Sequence, residues 1–170
     1  ISSPGILDAK KCLAWLLQSE GQFPIEFREA LGNRIYGCDD CQTACPVNRR
    51  EERINDNFSS NGLGATVLIY EILEMGDHDL LEKFGKWYIP RRDPRYLRRN
   101  ALVVLGNTTN PPSRKTREVL LRWLQSGDDM VRSHAVWAAK RLKLTELLEE
   151  LLDDPSPLVQ EELEREVTPN

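Results

Sequence analysis

Residues 37–46 of this chain have the sequence Gly37-Cys38-Asp39-Asp40-Cys41-Gln42-Thr43-Ala44-Cys45-Pro46. This stretch contains C-x2-C-x3-C-P, the latter part of the run C-x2-C-x2-C-x3-C-P that holds [4Fe–4S] clusters in bacterial proteins. Two cysteines three positions apart in a tight turn can reach two irons of one cubane. In proteins with two clusters, the cysteine before the proline serves the other cluster. Because a proline directs the preceding residue into extended backbone, the chain leaves the turn at Cys45. The pattern predicts an iron–sulfur site built on short helices and loops.

A fourth cysteine, Cys12, precedes this stretch on a segment predicted to form a helix from Leu7 to Gln18, with Asp8 near its start. One cysteine of the usual run is missing from its place, and Cys12 can substitute for it through space. Three of the four cysteines lie within eight residues, which suits metal ligands better than disulfide partners. Reduced thiols of this kind favour a cytoplasmic protein. The predicted cluster ligands are Cys12, Cys38, Cys41 and Cys45.

Two other uses of these cysteines remain open at this point. Four thiolates can hold one structural zinc ion, although zinc ribbons favour two C-x2-C knuckles and this chain has one. A redox C-x-x-C of the thioredoxin type requires a βαβ context, which the sequence does not suggest. Asp39 and Asp40 are expected to cap the turn or to lie at the surface.

From residue 65 onward the apolar positions recur with a helical period. Asp93-Pro94 predicts a helix start, and Gly106-Asn107 predicts its end. Similar helices are predicted after Asp128 and from Asp154-Pro155, about thirty residues apart. Their apolar stripes are Leu97, Ala101, Val104 and Leu105; Val131, Ala135, Ala138 and Leu142; and Leu158, Val159 and Leu163. With intervening helices near Ser113–Gln125 and Thr145–Leu152, the pattern predicts a compact HEAT-like α-solenoid. An irregular helical bundle is the alternative.

The overall expectation is a mainly all-α chain with two parts. Residues 1–57 form the cysteine-bearing ferredoxin-like unit, 58–64 a linker within the polar stretch Asn48–Gly64, and 65–170 the helical repeat domain. Hydrophobic residues make up 40% and charged residues 29%, which indicates a folded, soluble chain. No apolar run approaches the roughly 18–20 residues of a membrane helix, so we expect no membrane contact. A monomer is expected.

The net charge of −4 conceals a basic stretch and an acidic one. Residues 91–122 hold nine Lys and Arg against two acids, whereas residues 145–170 hold nine acids against one base. A basic surface of this kind suits a polyanion such as nucleic acid, and the alternative is a set of ordinary polar helix faces. We predict that the phosphate contacts come from arginines on or beside an exposed helix side: Arg91, Arg92, Arg95, Arg98 and Arg99.

Aromatic residues near this stretch have two possible roles. Trp87, Tyr88 and Tyr96 can stack on an unpaired base, although core packing is favoured for Trp87. Trp123 and Trp137 are predicted to lie in the core. His134 occupies the repeat position of Asn100, which we expect to be a polar position on the inner face.

These residues together resemble the epoxyqueuosine reductase family. The resemblance rests on Leu7-Asp8-Ala9-Lys10-Lys11-Cys12, on Gly32-Asn33-Arg34-Ile35-Tyr36-Gly37-Cys38-Asp39-Asp40-Cys41-Gln42, on Cys45-Pro46 and Asn48, and on Tyr96-Leu97-Arg98-Arg99-Asn100-Ala101 with Leu105-Gly106-Asn107. It covers nearly the whole chain. Members of that family reduce epoxyqueuosine at the wobble position of tRNA to queuosine, with a cobalamin and two [4Fe–4S] clusters.

The resemblance implies a role for each part. Cys12, Cys38 and Cys41 would bind one cluster and Cys45 the other, while the repeats hold the anticodon stem-loop of tRNA. A cobalamin-binding part precedes this region in the family, so we interpret the chain as the carboxy-terminal portion of a longer oxidoreductase. It would supply no catalytic residue and be inactive alone, and the electron donor is unidentified.

Two alternatives remain. One is a non-enzymatic ferredoxin-like electron carrier fused to a helical-repeat interaction module. The other is a relative of the corrinoid reductive dehalogenases, against which the basic stretch counts.

Overall fold

The computed structural model describes residues 6–48, 67–108 and 111–170. The predicted linker at 58–64 and the domain boundary at residue 57 lie outside these ranges. Within them the chain is mainly helical, which confirms the expected fold class. The α-helices are α1 Leu13–Leu17, α2 Ile25–Leu31, α3 Asp40–Thr43, α4 Ile69–Glu74, α5 Asp77–Lys83, α6 Arg95–Gly106, α7 Arg114–Leu124, α8 Asp129–Arg141 and α9 Pro157–Glu164. Short 3-10 helices span Ala9–Lys11, Pro90–Arg92 and Thr145–Leu151.

The first predicted helix is broken at Cys12. Asp8 caps the 3-10 turn Ala9–Lys11 by accepting a hydrogen bond from the Lys10 N–H at 3.1 Å. Cys12 then adopts extended backbone, with φ −88° and ψ 117°, and α1 begins at the next residue. The expectation of one continuous helix from Leu7 to Gln18 is therefore wrong. The break places Cys12 at the junction of two short helices.

Two glycines with positive φ lie at the ends of the next segments. α2 follows Pro24 and is followed by its cap Gly32, where φ is +58°. Gly37, immediately before the first cysteine of the C-x2-C pair, has φ +76°. L-amino acids with a side chain rarely adopt this left-handed region, so glycine permits both turns.

The repeat domain is built around α8, which packs against α6, α7 and α9. Ser113 and Thr116 form a capping box at the start of α7. Asp128 accepts a hydrogen bond from the Val131 N–H at 2.9 Å, and α6 ends at Gly106 with Asn107 as its cap. The helix boundaries predicted from these caps agree with the structure.

The start of the last helix differs from the prediction. α9 begins at Pro157 after Ser156, two residues beyond Asp154-Pro155. The Asp154 carboxylate accepts a hydrogen bond from the Ser156 N–H at 2.9 Å and pairs with Arg132 at 2.7 Å. Asp154 therefore closes a turn ahead of the helix and ties it to the preceding repeat.

The core runs through the centre of the repeat domain. The predicted stripes of α6 and α8 are buried, and Trp137 is 1% exposed. Trp123 is partly buried and donates a hydrogen bond from Nε1 to the Leu73 carbonyl at 3.1 Å. None of the described helices has the length and apolar character needed to cross a membrane.

The cysteine-bearing unit docks on α6 and α8 through polar side chains, of which Asn100 and His134 are buried and Asn107 is partly buried. The Asn107 amide donates to the carbonyls of Arg28 at 2.7 Å and Gly32 at 3.2 Å. His134 Nε2 accepts from the Phe23 N–H at 3.1 Å, and Asn100 donates to the Leu17 carbonyl at 2.9 Å. His134 and Asn100 thus occupy equivalent inner positions, as predicted. These contacts fix the cysteine-bearing unit against the repeats.

Candidate iron–sulfur site and basic surface

The C-x2-C-x3-C-P stretch wraps around the single-turn helix α3. Cys38 precedes it, Cys41 lies within it, and Cys45 follows its last turn. Main-chain hydrogen bonds close the turn, from the Thr43 N–H to the Asp39 carbonyl at 2.9 Å and from the Cys45 N–H to the Gln42 carbonyl at 3.1 Å. The stretch therefore forms a compact knuckle with its thiols at the beginning, middle and end.

Side chains around the knuckle hold it from outside. Arg34 pairs with Asp40 at 2.5 Å, and the Asn48 amide donates to the Gln42 side-chain oxygen at 2.5 Å. Asp39 and Asp40 are both exposed, which agrees with a surface position. Asn48, part of the family resemblance, therefore anchors the exit of the knuckle.

The four cysteines are free thiols at accessible positions. Cys41 is exposed, and the other three are partly buried. No three of these sulfur atoms lie within 4.8 Å of one another; in the described ranges that condition is met by a different group, the exposed His78, Asp79 and Glu82. A tetrahedral zinc site with Zn–S bonds of about 2.3 Å needs sulfurs roughly 3.8 Å apart. A cubane attaches each thiolate to a different iron, so a cluster does not require the four sulfurs to converge on one metal ion.

A cleft of about 570 Å³ borders Cys38. It lies between the knuckle, the start of α4 and the end of α6, and its lining includes Tyr36, Tyr70 and Val104. Tyr36 stacks on Trp87 with ring centroids 4.7 Å apart and an interplanar angle of 2°. This stack joins the cysteine-bearing unit to the segment that immediately precedes Arg91 and Arg92.

Arg99 differs most from its sequence prediction. Its guanidinium is fully buried and donates to carbonyls of the turn after α1, those of Ser19 at 2.9 Å and Gly21 at 2.5 Å. Burial lowers the pKa of Arg99 to about 10. The expectation that Arg99 lies on or beside the exposed side of its helix is therefore wrong, because α1 covers that side.

Arg98 and Arg95 are partly engaged within the fold. Arg98 pairs with Asp77 at 2.5 Å, donates to the Met75 carbonyl at 3.0 Å and leaves 12% of its side chain exposed. Arg95 is 40% exposed and lies 2.8 Å from Asp93 and 3.3 Å from Asp128. The hydrogen bond to Asp128 raises the pKa of Arg95. Of the two, Arg95 is the more accessible to a ligand.

The short 3-10 segment Pro90–Arg92 forms a basic loop with two exposed arginines, and its backbone departs from helical geometry at Arg91. Arg91 and Arg92 both have left-handed φ, +50° and +54°, a region that costs a residue with a side chain of order 1 kcal/mol or more. Arg91 pairs with Glu20 at 2.9 Å, and Arg92 donates to the carbonyls of Leu81 and Gly85, both at 3.3 Å. These contacts hold the Arg91 guanidinium near the turn after α1 and the Arg92 guanidinium at the end of α5.

The three aromatic residues predicted to stack on a base differ in how far they are buried. Tyr96 is 3% exposed and packs beneath the guanidinium groups of Arg95 and Arg99, so its predicted availability for base stacking is wrong. Trp87 is partly buried in its stack with Tyr36. Tyr88 is 62% exposed. Tyr88 is therefore the most accessible aromatic side chain of the three.

Sequence reasoning did not identify the interface residues Arg28, Glu162 and Glu20. Arg28 and Glu162 form a buried ion pair at 3.0 Å between α2 and α9. The sequence does indicate burial of Arg28, because this residue lies three positions before the buried Leu31 on an otherwise apolar helix face. No comparable pattern marks Glu162 or Glu20.

Comparison with known proteins adds two domain matches. Residues 1–48 match the family described as a 4Fe-4S double cluster binding domain, and residues 86–167 match HEAT repeats. Among curated proteins, the chain is 30% identical to epoxyqueuosine reductase of Bacillus subtilis over 150 residues, which are 88% of this chain and 38% of that protein. An uncharacterized protein of Geobacillus stearothermophilus is 31% identical over 86% of this chain and 68% of its own length.

Comparison with solved structures also matches this chain to an epoxyqueuosine reductase. The crystal structure of epoxyqueuosine reductase with an epoxyqueuosine-modified tRNA-Tyr stem loop matches with a TM-score of 0.73 and 26% identity over 95% of this chain. The chain belongs to the epoxyqueuosine reductase family. It spans 45% of that crystallised chain and 37% of the epoxyqueuosine reductase of Vibrio cholerae, to which it is 33% identical. It therefore corresponds to part of the length of these family members.

Proposed function

We propose that this chain is the part of an epoxyqueuosine reductase that supplies [4Fe–4S] ligands and a tRNA-binding repeat domain. The full-length oxidoreductase would convert epoxyqueuosine to queuosine in tRNA. The observation that carries the proposal is a single structural match, covering 95% of this chain, to that enzyme with a tRNA stem loop. The cysteine-bearing unit and the repeats are thus found together in a protein of named function.

The cysteines hold the clusters in this proposal. Cys12, Cys38 and Cys41 bind one cluster, and Cys45 binds the second, whose other ligands lie outside this chain. When bound, such clusters supply single-electron transfer, which no side chain here can provide. The helix α3 knuckle and the contact of Asn48 with Gln42 hold the thiolates in place. Cobalamin belongs to the proposal for the full-length enzyme, and no residue of this chain is assigned to it.

The proposed tRNA surface is centred on the exposed loop arginines. Arg91, Arg92 and Arg95 supply the phosphate contacts, with Arg98 at the margin because its guanidinium is largely engaged by Asp77. Arg99 is excluded by burial. Tyr88 is available to stack on an unpaired base of the anticodon loop. Contacts of this kind give affinity and salt dependence more than sequence discrimination.

Activity of the full-length protein tests the enzyme assignment. Purified protein, loaded anaerobically with clusters and cobalamin and supplied with a chemical reductant, is incubated with tRNA that carries epoxyqueuosine. Nucleoside mass spectrometry should then find queuosine. Cys38→Ala and Cys45→Ala should each abolish conversion and should alter the spectra of different clusters. Complete retention of epoxyqueuosine with loaded wild-type protein would exclude the proposed reaction, and identical spectral losses in both variants would exclude the division of ligands.

Salt-dependent binding tests the tRNA surface. Replacing Arg91, Arg92 and Arg95 with Ala should weaken binding of many tRNAs similarly and flatten the slope of log affinity against log salt, by about 0.7–0.9 for each phosphate that is no longer neutralised. A matched control removes three exposed basic side chains from α7, Arg114, Lys115 and Arg117. Equal effects of the two triple variants would indicate general electrostatic attraction, and normal binding by the first would make the loop an ordinary solvated surface.

A second candidate, an electron carrier joined to an interaction module, is favoured by one observation. Many basic residues of the 91–122 stretch already have carboxylate partners within the chain, among them Arg95, Arg98 and Lys115. A surface neutralised in this way suits a scaffold as well as a polyanion site. The salt-slope experiment separates the two, because the carrier requires no tRNA binding.

A further inference from the structure

We infer that Arg99, a residue of the repeat domain, is a positioning residue for Cys12. The inference rests on the proposed role of Cys12 as a cluster ligand, and it extends that role by giving the helical repeats a part in building the iron–sulfur site. Arg99 touches no reacting group. It acts through α1, the short helix that begins immediately after Cys12.

The guanidinium of Arg99 donates hydrogen bonds to carbonyls at the carboxyl end of α1 and in the turn that follows. Nη1 donates to the carbonyls of Ser19 and Gly21, and Nη2 lies 3.3 Å from the Leu16 carbonyl and 3.2 Å from that of Leu17. The neighbouring Asn100 donates to the same Leu17 carbonyl at 2.9 Å. Its side-chain oxygen accepts from Arg99 Nη2 at 2.8 Å and so fixes the guanidinium plane.

α1 depends on such external contacts. It has five residues, far fewer than the roughly 12–15 that an isolated helix needs in water. The last carbonyls of a helix lack partners within the helix, and a buried cation at that end is favourable. Arg99 satisfies both requirements. No carboxylate in the described part of the chain pairs with it, so carbonyl dipoles are the main partners of its charge.

The effect reaches Cys12 through one further hydrogen bond. The Leu16 N–H donates to the Cys12 carbonyl at 2.9 Å, while the Leu16 carbonyl accepts from Arg99. At about 1.5 Å of rise per residue, the whole of α1 spans roughly 8 Å, so a tilt at its carboxyl end shifts the cysteine directly. Cys12 has no side-chain capping bond of its own. Its placement therefore depends on how α1 is held.

Arg98 provides a matched control on the same helix. It also donates to the carbonyl at a helix end, that of Met75 after α4, but it faces away from α1. Lysine substitution at either position keeps the charge and removes the planar fork that can bind several carbonyls together. A change seen with Arg99→Lys and absent from Arg98→Lys reports the position of α1 rather than charge or general stability.

The experiment uses the full-length protein, reconstituted anaerobically with ferrous iron and sulfide. Iron release to a ferrous chelator and the EPR spectrum of the reduced cluster are measured beside thermal stability. In the apo protein, iodoacetamide labelling of Cys12 relative to Cys41 is followed by peptide mass spectrometry. Arg99→Lys should release iron about 10-fold faster, at the lower end of the loss expected for an outer-shell partner, with a changed spectrum and faster Cys12 labelling. Arg98→Lys should match wild type in all three.

The outcomes are distinct. Arg99→Lys with wild-type iron release, spectrum and labelling, despite lower thermal stability, would overturn the inference. If Arg99→Lys does not fold, Asn100→Ala replaces it, since it removes one bond to α1 and the support of the guanidinium, and the same readouts decide. A wild-type protein that binds no iron through Cys12 would refute the proposed function instead. In that case, labelling of Cys12 in the apo protein still tests whether Arg99 positions it.

Discussion

Two buried charges face each other where the cysteine-bearing unit meets the last repeat. Arg28 Nη1 lies 3.0 Å from a Glu162 carboxylate oxygen, and each side chain is 2% exposed. Burial lowers the pKa of Arg28, and the negative charge of Glu162 opposes that shift. Such a pair adds little compared with an apolar replacement of both partners, but loss of one partner leaves an uncompensated charge.

Glu162→Gln should lower the free energy of unfolding by about 3 kcal/mol, because it leaves the buried Arg28 cation without a negatively charged partner. Glu161→Gln is the control, since Glu161 is 66% exposed and its pairing with Arg165 is a surface contact. The control should change stability by about 0.5 kcal/mol or less. Urea denaturation of both variants measures the difference. Equal stabilities would mean that the Arg28–Glu162 pair is solvated.

His134 is a second residue whose charge state is set by burial. It is fully buried, its Nδ1 lies 2.7 Å from the Met130 carbonyl, and its Nε2 accepts from Phe23. The carbonyl requires a proton on Nδ1, so the neutral tautomer satisfies both contacts. Burial, followed by the positive charge of Arg28, lowers the pKa of His134 well below 6.5.

Stability should therefore fall as the pH drops below about 6.5, the pKa of an unperturbed histidine. Below this pH the histidine is protonated in the unfolded chain but stays neutral in the folded chain. The free energy of unfolding therefore falls by up to about 1.4 kcal/mol per pH unit. Above that pH the contribution is complete. His134→Gln should show a shallower decrease between pH 6.5 and 5 in chemical denaturation. Parallel pH profiles for wild type and variant would contradict a neutral buried His134.

At the scale of helices, the crossing of α6 and α8 depends on the absence of a side chain. A Cβ atom placed on Gly106 would lie 2.6 Å from Trp137 Cζ3 and 3.0 Å from Ala138 Cα. Neither neighbour is the end of a flexible chain, so a larger residue requires the helices to separate. Gly106 also ends α6, and the helix therefore stops where it meets its closest neighbour.

Gly106→Ala should destabilise the repeat domain by about 1–3 kcal/mol through overpacking, although alanine is the better helix former. Gly127→Ala is the matched control, because nothing lies within 4 Å of a Cβ at that position. Its effect should stay within about 0.5 kcal/mol. Thermal melts compare the two. A stabilised Gly106→Ala variant would show that α6 and α8 separate at little cost.

Local chemistry made much of the helix pattern predictable, and three-dimensional neighbours explain what was not. Caps such as Ser113 and Asp128 define helix starts from adjacent residues alone. The knuckle was equally predictable, since its spacing is local. Arg99 was placed wrongly because a single apolar stripe suggests one buried side, whereas α6 is covered on a second side by α1 and α2. The break at Cys12 likewise depends on tertiary placement that periodicity does not encode.

Over the whole molecule, the number of thiols limits the number of clusters. The sequence has four cysteines, and a [4Fe–4S] cluster uses four cysteine ligands. This chain cannot complete two clusters, and the proposed crossing of Cys45 to a second cluster leaves the first one ligand short.

Anaerobic reconstitution of the 170-residue chain should therefore yield no more than about four irons per chain. Iron and acid-labile sulfide are measured after removal of excess reagents. A variant with all four cysteines replaced by Ser is the control for adventitious iron and should retain almost none. About eight irons per wild-type chain would contradict the proposed assignment of ligands.

The hydrogen bonds that join Arg99, Asn100, Asn107 and His134 to the cysteine-bearing unit all involve main-chain atoms of that unit: the first three residues donate to carbonyls, and His134 accepts from an N–H. Main-chain atoms are present whatever side chains the partner segment carries. Substitutions in that segment are thus tolerated at these contacts so long as its backbone path is kept, with Arg28 as the exception because its side chain pairs with Glu162. A cysteine-bearing unit from a distant relative should therefore replace this one in a chimera if it keeps Arg28, whereas exchange of the repeats would have to carry the four residues and Glu162 together.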